Sequence, residues 1–134
     1  MTITRFEDIL AWQKARELAI AVYKLSRNGD FAKDFDLRGQ IRRAAVSAMS
    51  NIAEGYARRS DKEFANFLNI AHGSLGEVQS QLYLATDLDY IGTADFAKLY
   101  ALADEASRLS AKFAKFLHST KNNIRVPNSK TPGR

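Results

Sequence analysis

The sequence predicts an all-α protein, an antiparallel up-down-up-down four-helix bundle, on three observations. Apolar residues recur at intervals of three and four along four segments, which is the period of an amphipathic α-helix. The two prolines, Pro127 and Pro132, both lie in the last eight residues, so no predicted helix is interrupted by proline. The segments between the predicted helices are short, and short connections favour antiparallel neighbours.

The first two predicted helices begin and end at polar residues. The first begins after Thr4, where Thr4 and Glu7 have the spacing of a capping box, and continues to about Arg27. The second begins near Asp36 and continues to about Arg58. The apolar stripes that we expect to face the core are Ala11, Ala15, Leu18, Val22 and Leu25 in the first helix, and Leu37, Ile41, Ala45, Ala48, Ile52 and Tyr56 in the second.

The third and fourth predicted helices show the most regular spacing. A second capping box, Ser60 to Glu63, begins the third helix, and residues 87–93 supply a turn before the fourth helix, which Thr93 can cap and which continues to about His118. Their apolar stripes are Phe64, Leu68, Ala71, Leu75, Val78, Leu82 and Ala85 in the third helix, and Leu99, Leu102, Ala106, Leu109, Phe113 and Phe116 in the fourth.

Length and composition predict one domain followed by a tail. We assign the bundle to residues 1–118 and a basic tail, which we expect to be disordered, to residues 119–134, because Ile124 and Val126 are its only large apolar residues. The absence of cysteine excludes disulfides and thiolate metal sites and fits a reducing compartment. With no signal-like start and no membrane-spanning apolar run, we expect a cytoplasmic protein without a membrane partner.

Catalytic signatures are missing from the sequence. No zinc-protease, dinucleotide-binding, P-loop or nucleophile-elbow motif occurs. A di-metal bundle needs glutamate three residues before histidine, but Asn69 and Lys115 stand there before His72 and His118. We therefore expect no catalytic residue, no metal and no cofactor.

Charge is unevenly distributed along a chain of net charge +5. Residues 37–59 carry five arginines against Glu54, a local charge of +4, whereas residues 60–90 carry Lys62 against five acidic residues, a local charge of −4. The arginines either contact phosphate groups or join a network with Glu54 that fixes helix or subunit register, and a solvated face with intrahelical pairs is the alternative. The five candidate nucleic-acid contacts are Arg38, Arg42, Arg43, Arg58 and Arg59.

A second apolar stripe on the third predicted helix indicates a partner. Ile70 and Leu84 stand at equivalent outward positions, and Phe67 and Tyr83 flank the core stripe. These four residues are candidates for an oligomer interface, although the inner helices of a small bundle also bury more than one face.

Two segments of the chain carry a family resemblance: FEDILAWQKARELAIAVYKLS, and QIRRAAVSAMSNIAEGYARRSDKEFANFLNIAHGSLGEVQSQLYLA. They closely resemble the small four-helix-bundle proteins encoded in intervening sequences of bacterial large-subunit ribosomal RNA genes. The resemblance implies an up-down bundle, commonly a ring-shaped homopentamer. It also implies a relation to the accessory proteins of diversity-generating retroelements, which bind nucleic acid and a reverse transcriptase through basic surfaces.

Several residues of this chain match the family motif. Met49 departs from it, because relatives commonly have proline there, and we expect a straighter helix as a result. Besides Arg42, Arg43 and Arg58, the motif residues are Trp12, Gln40, Ser47, Asn51, Glu54, Gly55, Ser60, Glu63, Gly73, Ser74 and Gln81.

Together these features lead to two functional hypotheses. The first is a non-catalytic homo-oligomer, a pentamer by the resemblance, whose arginines bind RNA or DNA multivalently. No aromatic stacking platform is recognisable in the sequence, so little sequence specificity is expected. The second is a protein–protein adaptor without nucleic-acid binding, in which the basic second helix meets the acidic third helix of another subunit or of a foreign protein partner.

Overall fold

The computed structural model describes residues 3–119, and every regular element in this range is helical. The predicted tail, residues 119–134, lies outside the described residues except for Ser119, the last residue of α5. The elements in chain order are a 3-10 turn at Phe6–Asp8, α1 at Leu10–Ser26, α2 at Gly29–Lys33, α3 at Phe35–Tyr56, α4 at Asp61–Asp87 and α5 at Thr93–Ser119.

Four long helices pack around one apolar core. Helix α3 contacts α1 and α4, and α5 contacts α4 and α1, so the four helices form a closed ring of neighbours. The whole predicted stripe of α4, from Phe64 to Ala85, is buried, as expected for the apolar side of a helix that faces the bundle core. The prediction of an all-helical bundle is confirmed. Within residues 3–119, no helix is both long and apolar enough to cross a membrane.

The predicted capping box at Thr4 is wrong. Helix α1 begins at Leu10, with Ile9 at its N-cap, and Thr4 contacts Asp8 instead of capping a helix. Both the backbone N–H and the hydroxyl of Thr4 donate to Asp8 Oδ2, at 3.2 and 3.1 Å. The Asp8 carboxylate therefore accepts the Thr4 backbone N–H that the Glu7 side chain was expected to accept, and a 3-10 turn forms before α1.

An additional short helix lies where the sequence indicated only a connection. Helix α2, Gly29–Lys33, follows α1 directly, and Gly29 has a φ of +59°, a conformation that glycine adopts without steric cost. Phe31 is buried and stacks on Tyr90, with ring centroids 5.3 Å apart. This contact fixes the segment that precedes α3.

The buried face of α5 is rotated relative to the predicted stripe. Phe116 is 44% exposed, and Leu102, Leu109 and Phe113 are only half-buried. The prediction followed the largest apolar residues, whereas small residues let α5 approach its neighbours closely and so occupy the interior. The buried residues of α5 are Leu99, Ala103, Ala106, Ser107, Ser110, Ala114 and Leu117.

The boundaries of α3 and α4 agree with the sequence more closely. Helix α3 runs without interruption through Met49, the position of proline in relatives. At the start of α4 the hydroxyl of Ser60 accepts the backbone N–H of Glu63 at 3.1 Å, as the second capping box predicted.

Candidate nucleic-acid interface

The five predicted arginines fall into two groups at opposite ends of α3. Arg38, Arg42 and Arg43 lie in its first turns, and Arg58 and Arg59 follow its last residue. At a rise of 1.5 Å per residue, about 20 Å of helix separates Arg42 from the C-terminal end of α3. The five residues therefore do not form one continuous patch on a single chain.

Arg42 is held against α1 by two contacts. Its Nε donates to Ser26 Oγ at 2.8 Å, and its guanidinium carbon lies 4.5 Å from the centroid of the Tyr23 ring. Ser26 is fully buried and marks the end of α1. Because this hydrogen bond uses only Nε, the terminal amino groups of Arg42 retain donors for a ligand.

Arg38 is fixed in the same manner one turn earlier on α3. Its Nη1 donates to the carbonyl oxygen of Ala32 at 2.7 Å, and its guanidinium carbon lies 4.7 Å from the centroid of the Phe35 ring. Phe35, the first residue of α3, is 70% exposed. The partners of both arginines are neutral, so neither positive charge is compensated at its hydrogen bond.

Further arginines extend this group onto α1. The exposed Arg43 lies with its Nη1 only 3.0 Å from the place that a Cβ on Gly39 would occupy, so its guanidinium folds back along α3. Arg16 lies over the Trp12 ring at 5.6 Å, two turns before Tyr23 on the same side of α1. The exposed Arg27 is the C-cap of α1 and follows Tyr23 by four residues, on the same side of that helix. We call the following five residues the α1–α3 basic face: Arg16, Arg27, Arg38, Arg42 and Arg43.

The arginines of the α1–α3 basic face have no ion-pair partner in the described chain: within residues 3–119, none of the five forms an ion pair with a carboxylate. Such clustered positive charge raises the local electrostatic potential and attracts anions. Chemically, the face is suited to binding a polyanion.

The other end of α3 is organised differently. Arg58 Nη2 donates to Glu54 Oε2 at 2.7 Å, and the guanidinium carbon of Arg58 lies 4.7 Å from the centroid of the Phe67 ring on α4. Phe67, predicted to form an oligomer interface, is half-buried under this guanidinium. Arg59 is exposed and forms no ion pair within residues 3–119.

Polar motif residues join α3 to α4. Asn51 Nδ2 donates to the carbonyl oxygen of Ser47 at 2.8 Å and to its hydroxyl at 3.0 Å. Because Ser47 Oγ accepts from Asn51, its own proton is available for Ser74 Oγ at 3.0 Å. A Cβ on Gly55 would lie 2.6 Å from Phe67 Cβ, so glycine permits the close approach of the two helices. We call Ser47, Asn51, Glu54, Gly55, Phe67 and Ser74 the α3–α4 seam.

The sequence matches the model of the 23S rRNA-intervening sequence protein family over residues 7–112. The chain belongs to this family. It is also similar to the crystal structure of a protein of unknown function from the S23 ribosomal protein family of Bacteroides thetaiotaomicron, with a TM-score of 0.73 and 28% identity over 79% of this chain and 99% of that chain. A comparison with curated proteins gave no match. The family indicated by the motif residues is confirmed.

The remaining motif residues differ in their surroundings. Trp12 is buried and packs edge to face against Phe6, with centroids 5.0 Å apart, while Gln40 and Gly73 are exposed. The Oε1 atom of Gln81 is buried and has no hydrogen-bond partner within the described residues. The motif thus contains core and cap residues as well as the α3–α4 seam.

The residues of α4 that were predicted to form an oligomer interface do not all face outward. Ile70 and Leu84 are about half exposed on the outward side, as expected. Tyr83 instead contacts α5, where its ring packs against Phe96 at 4.9 Å and Tyr100 at 5.8 Å. It therefore has aromatic partners within its own chain, although half of its surface remains exposed.

Sequence reasoning missed the aromatic partners of the arginines. Phe35 and Arg38 are three residues apart, a spacing that places two side chains on one side of a helix, so this pair was detectable in the sequence. Tyr23 and Arg42 lie on different helices and have no such local signal. No stacking platform was recognisable in the sequence, and the structure places an aromatic ring beside each of Arg38 and Arg42.

Proposed function

We propose that this protein is a non-catalytic, homo-oligomeric helical bundle that binds RNA or DNA through the α1–α3 basic face, with little sequence specificity. The proposal rests on five arginines of two neighbouring helices that have no carboxylate partner within residues 3–119. A phosphate backbone supplies the missing negative charge without requiring recognition of any base.

The hydrogen bonds within the face favour phosphate as the ligand. Ser26 Oγ and the Ala32 carbonyl oxygen orient Arg42 and Arg38 before any ligand arrives. A planar guanidinium held in this way can donate two parallel bonds to one phosphate group and loses little side-chain entropy on binding. We therefore assign the main contacts to Arg38, Arg42 and Arg43. Arg59 stays a predicted contact, and Arg58 mainly joins helices.

Contacts between α3 and α4 support the up-down-up-down arrangement. Ser47 meets Ser74, whereas Gly55, two turns later on α3, lies beside Phe67, two turns earlier on α4. The two helices therefore run in opposite directions at this seam. The short connection from Asp87 to Thr93 favours the same relation between α4 and α5.

The outward side of α4 is the surface that we assign to assembly. Ile70, Leu84 and Leu88 are each about half exposed along it, and Gly73 and Gly76 between them leave open space for a neighbouring helix. A pentamer, as the family resemblance implies, would repeat the basic face five times. Repeated weak phosphate contacts then give high avidity that falls steeply with salt.

The salt dependence of nucleic-acid binding tests the proposal. We expect the purified protein to bind labelled single-stranded RNA and duplex DNA in fluorescence anisotropy titrations, with affinity falling as salt rises. Replacing Arg42 and Arg43 by alanine should weaken binding and lower the slope of log affinity against log salt by up to about two for each subunit that contacts the nucleic acid.

A charge-matched variant controls for this loss of two positive charges. Lys112 and Lys115, both exposed on α5, are replaced by alanine in the same protein. Equal losses in the two double variants would mean that net charge, and not the α1–α3 basic face, determines binding. Unchanged binding in the Arg42 and Arg43 variant would exclude this face as the contact surface.

The adaptor function is the second candidate, and the acidic surface of α4 favours it. Glu77 and Asp87 are exposed and form no ion pair within residues 3–119. They would accept arginines from another subunit or from a protein partner. Arg42→Glu should then dissociate the oligomer in light scattering, whereas an oligomer that persists while nucleic-acid binding is lost supports the first proposal.

A further inference from the structure

We propose that the α1–α3 basic face prefers single-stranded over duplex nucleic acid, because Tyr23 and Phe35 offer ring surfaces on which unpaired bases can stack. This inference rests on the proposed nucleic-acid binding and specifies the class of ligand. It concerns two aromatic residues that belong neither to the apolar core nor to the α3–α4 seam.

Exposure of the two rings is the first observation. Phe35 is 70% exposed and Tyr23 is 43% exposed, although both belong to helices whose other large apolar residues mostly face the core. The Arg38 guanidinium lies over the Phe35 ring and the Arg42 guanidinium over the Tyr23 ring. Each ring is thus supported on one side by a cation and accessible to solvent elsewhere.

The arginines hold these rings ready for a base. Arg38 and Arg42 are themselves fixed by the Ala32 carbonyl oxygen and Ser26 Oγ, so the two ring–guanidinium pairs have little freedom to rearrange. The arginines are four residues apart on α3, which corresponds to about 6 Å along the helix axis. A base stacked on either ring therefore has its phosphate close to a guanidinium, the combination that single-strand binding proteins use.

A duplex cannot use the rings in this way. Its bases are already stacked and paired, so it can meet the face only through its phosphate groups, whereas an unpaired base has a free ring surface. Removal of an aromatic ring should therefore weaken single-strand binding selectively. Removal of an arginine should weaken the binding of both ligands.

Another exposed aromatic residue provides a matched control. Phe116 is 44% exposed on α5, where it lines an apolar cleft of about 390 Å³ with Leu10 and Phe113. Phe116 lies on α5, which contributes no residue to the α1–α3 basic face. Phe116→Ala removes the same side chain as Phe35→Ala from a different part of the surface.

The test compares a uridine homopolymer with a duplex of equal length in anisotropy titrations. We expect Phe35→Ala and Tyr23→Ala each to weaken binding of the single strand about tenfold and binding of the duplex less than about twofold. Phe116→Ala should change neither affinity. Circular dichroism should show wild-type secondary structure in all three variants. Because the three positions are exposed, we expect little change in their thermal unfolding.

Conservative variants separate stacking from support of the arginine. Phe35→Leu keeps an apolar side chain beside Arg38 but removes the aromatic ring, so it should lose single-strand affinity as Phe35→Ala does. Phe35→Trp should retain that affinity, and the emission of its added indole should be quenched by the single strand and not by the duplex. Wild-type single-strand binding in Phe35→Leu would overturn the stacking inference.

Two further outcomes distinguish this inference from the proposed function. Equal affinity for both ligands, unaffected by Phe35→Ala and Tyr23→Ala but reduced by the Arg42 and Arg43 double variant, would overturn the single-strand preference and leave nucleic-acid binding standing. Absence of binding to either ligand at low salt would overturn both.

Discussion

The two ends of α3 use arginine in opposite ways. At the start of the helix, Arg38 and Arg42 donate to neutral oxygens of Ala32 and Ser26. At its end, Arg58 donates to the carboxylate of Glu54. All three guanidinium groups lie over an aromatic ring at 4.5 to 4.7 Å. The counter-charge, and not the ring contact, therefore distinguishes the two ends.

The spacing of acidic residues alone does not explain this difference. Asp34 precedes Arg38 by four residues, the same separation as that between Glu54 and Arg58. However, Asp34 accepts the Leu37 N–H at 3.1 Å and the Tyr90 hydroxyl at 2.8 Å. The first carboxylate is turned toward the Leu37 N–H and the Tyr90 hydroxyl, and Arg38 forms no ion pair with it. Sequence spacing permits an ion pair, and the competing partners determine whether it forms.

The largest expected effect comes from disrupting the α3–α4 seam at Gly55. An added Cβ would lie 2.6 Å from Phe67 Cβ and 3.0 Å from Phe64 Cδ1, so the helices would have to separate. Overpacking of this kind outweighs the gain in helix propensity, and we expect Gly55→Ala to lower the free energy of unfolding by about 2 kcal/mol. Urea unfolding monitored by circular dichroism measures this change in the free energy of unfolding.

Gly73→Ala is the control for this prediction. No atom lies within 4 Å of its added Cβ, and Gly73 is an exposed position within α4. The alanine should raise the free energy of unfolding of the dissociated chain by up to about 1 kcal/mol. If both glycine variants stabilised the protein, the helices would not approach as closely at Gly55 as the structure shows.

A smaller effect should separate the functions of Arg58 and Arg42. Arg58→Ala removes a partly exposed ion pair and a ring contact, which together stabilise the fold by about 1 kcal/mol, and should leave nucleic-acid affinity nearly unchanged. Arg42→Ala also removes a hydrogen bond and a ring contact, so it should lower stability as well, but it alone should weaken nucleic-acid binding strongly. Both variants require unfolding curves and anisotropy titrations. If Arg58→Ala and Arg42→Ala lost equal nucleic-acid affinity, the start of α3 would not be the main binding surface.

The fold was more predictable from the sequence than the site. Apolar spacing identified the four long helices and the buried stripe of α4, because periodicity reports directly on burial. It failed where small residues filled the interior, as in the rotated face of α5, and where one buried residue, Phe31, stabilised a helix of only five residues.

The candidate site depends on contacts between distant segments, which sequence patterns do not encode. Clustering of arginine marked residues 37–59, but did not predict the separation of Arg42 from Arg58 or the pairing of Tyr23 with Arg42. The hydrogen bond from Ser47 to Ser74 likewise crosses two helices. The family motif marked several of these residues without indicating their contacts.

The smallest expected effect is the pH dependence of stability that arises at Asp34, the N-cap of α3. The Leu37 N–H and the Tyr90 hydroxyl hold the pKa of Asp34 below its ordinary value of 3.8. The contribution of Asp34 to stability is therefore present above that value and is lost as the pH falls through the lowered pKa.

The same hydrogen bond has the opposite effect on its donor. Bonding to Asp34 raises the pKa of Tyr90 above 10.0, so the contribution of Tyr90 is present below pH 10 and is lost as the pH rises through the raised pKa. Unfolding curves across the pH range should show that Tyr90→Phe is less stable than wild type near neutral pH, with a difference that shrinks at both extremes. Equal stability of Tyr90→Phe and wild type at every pH would mean that Tyr90 acts only through its stacking on Phe31, which the phenylalanine retains.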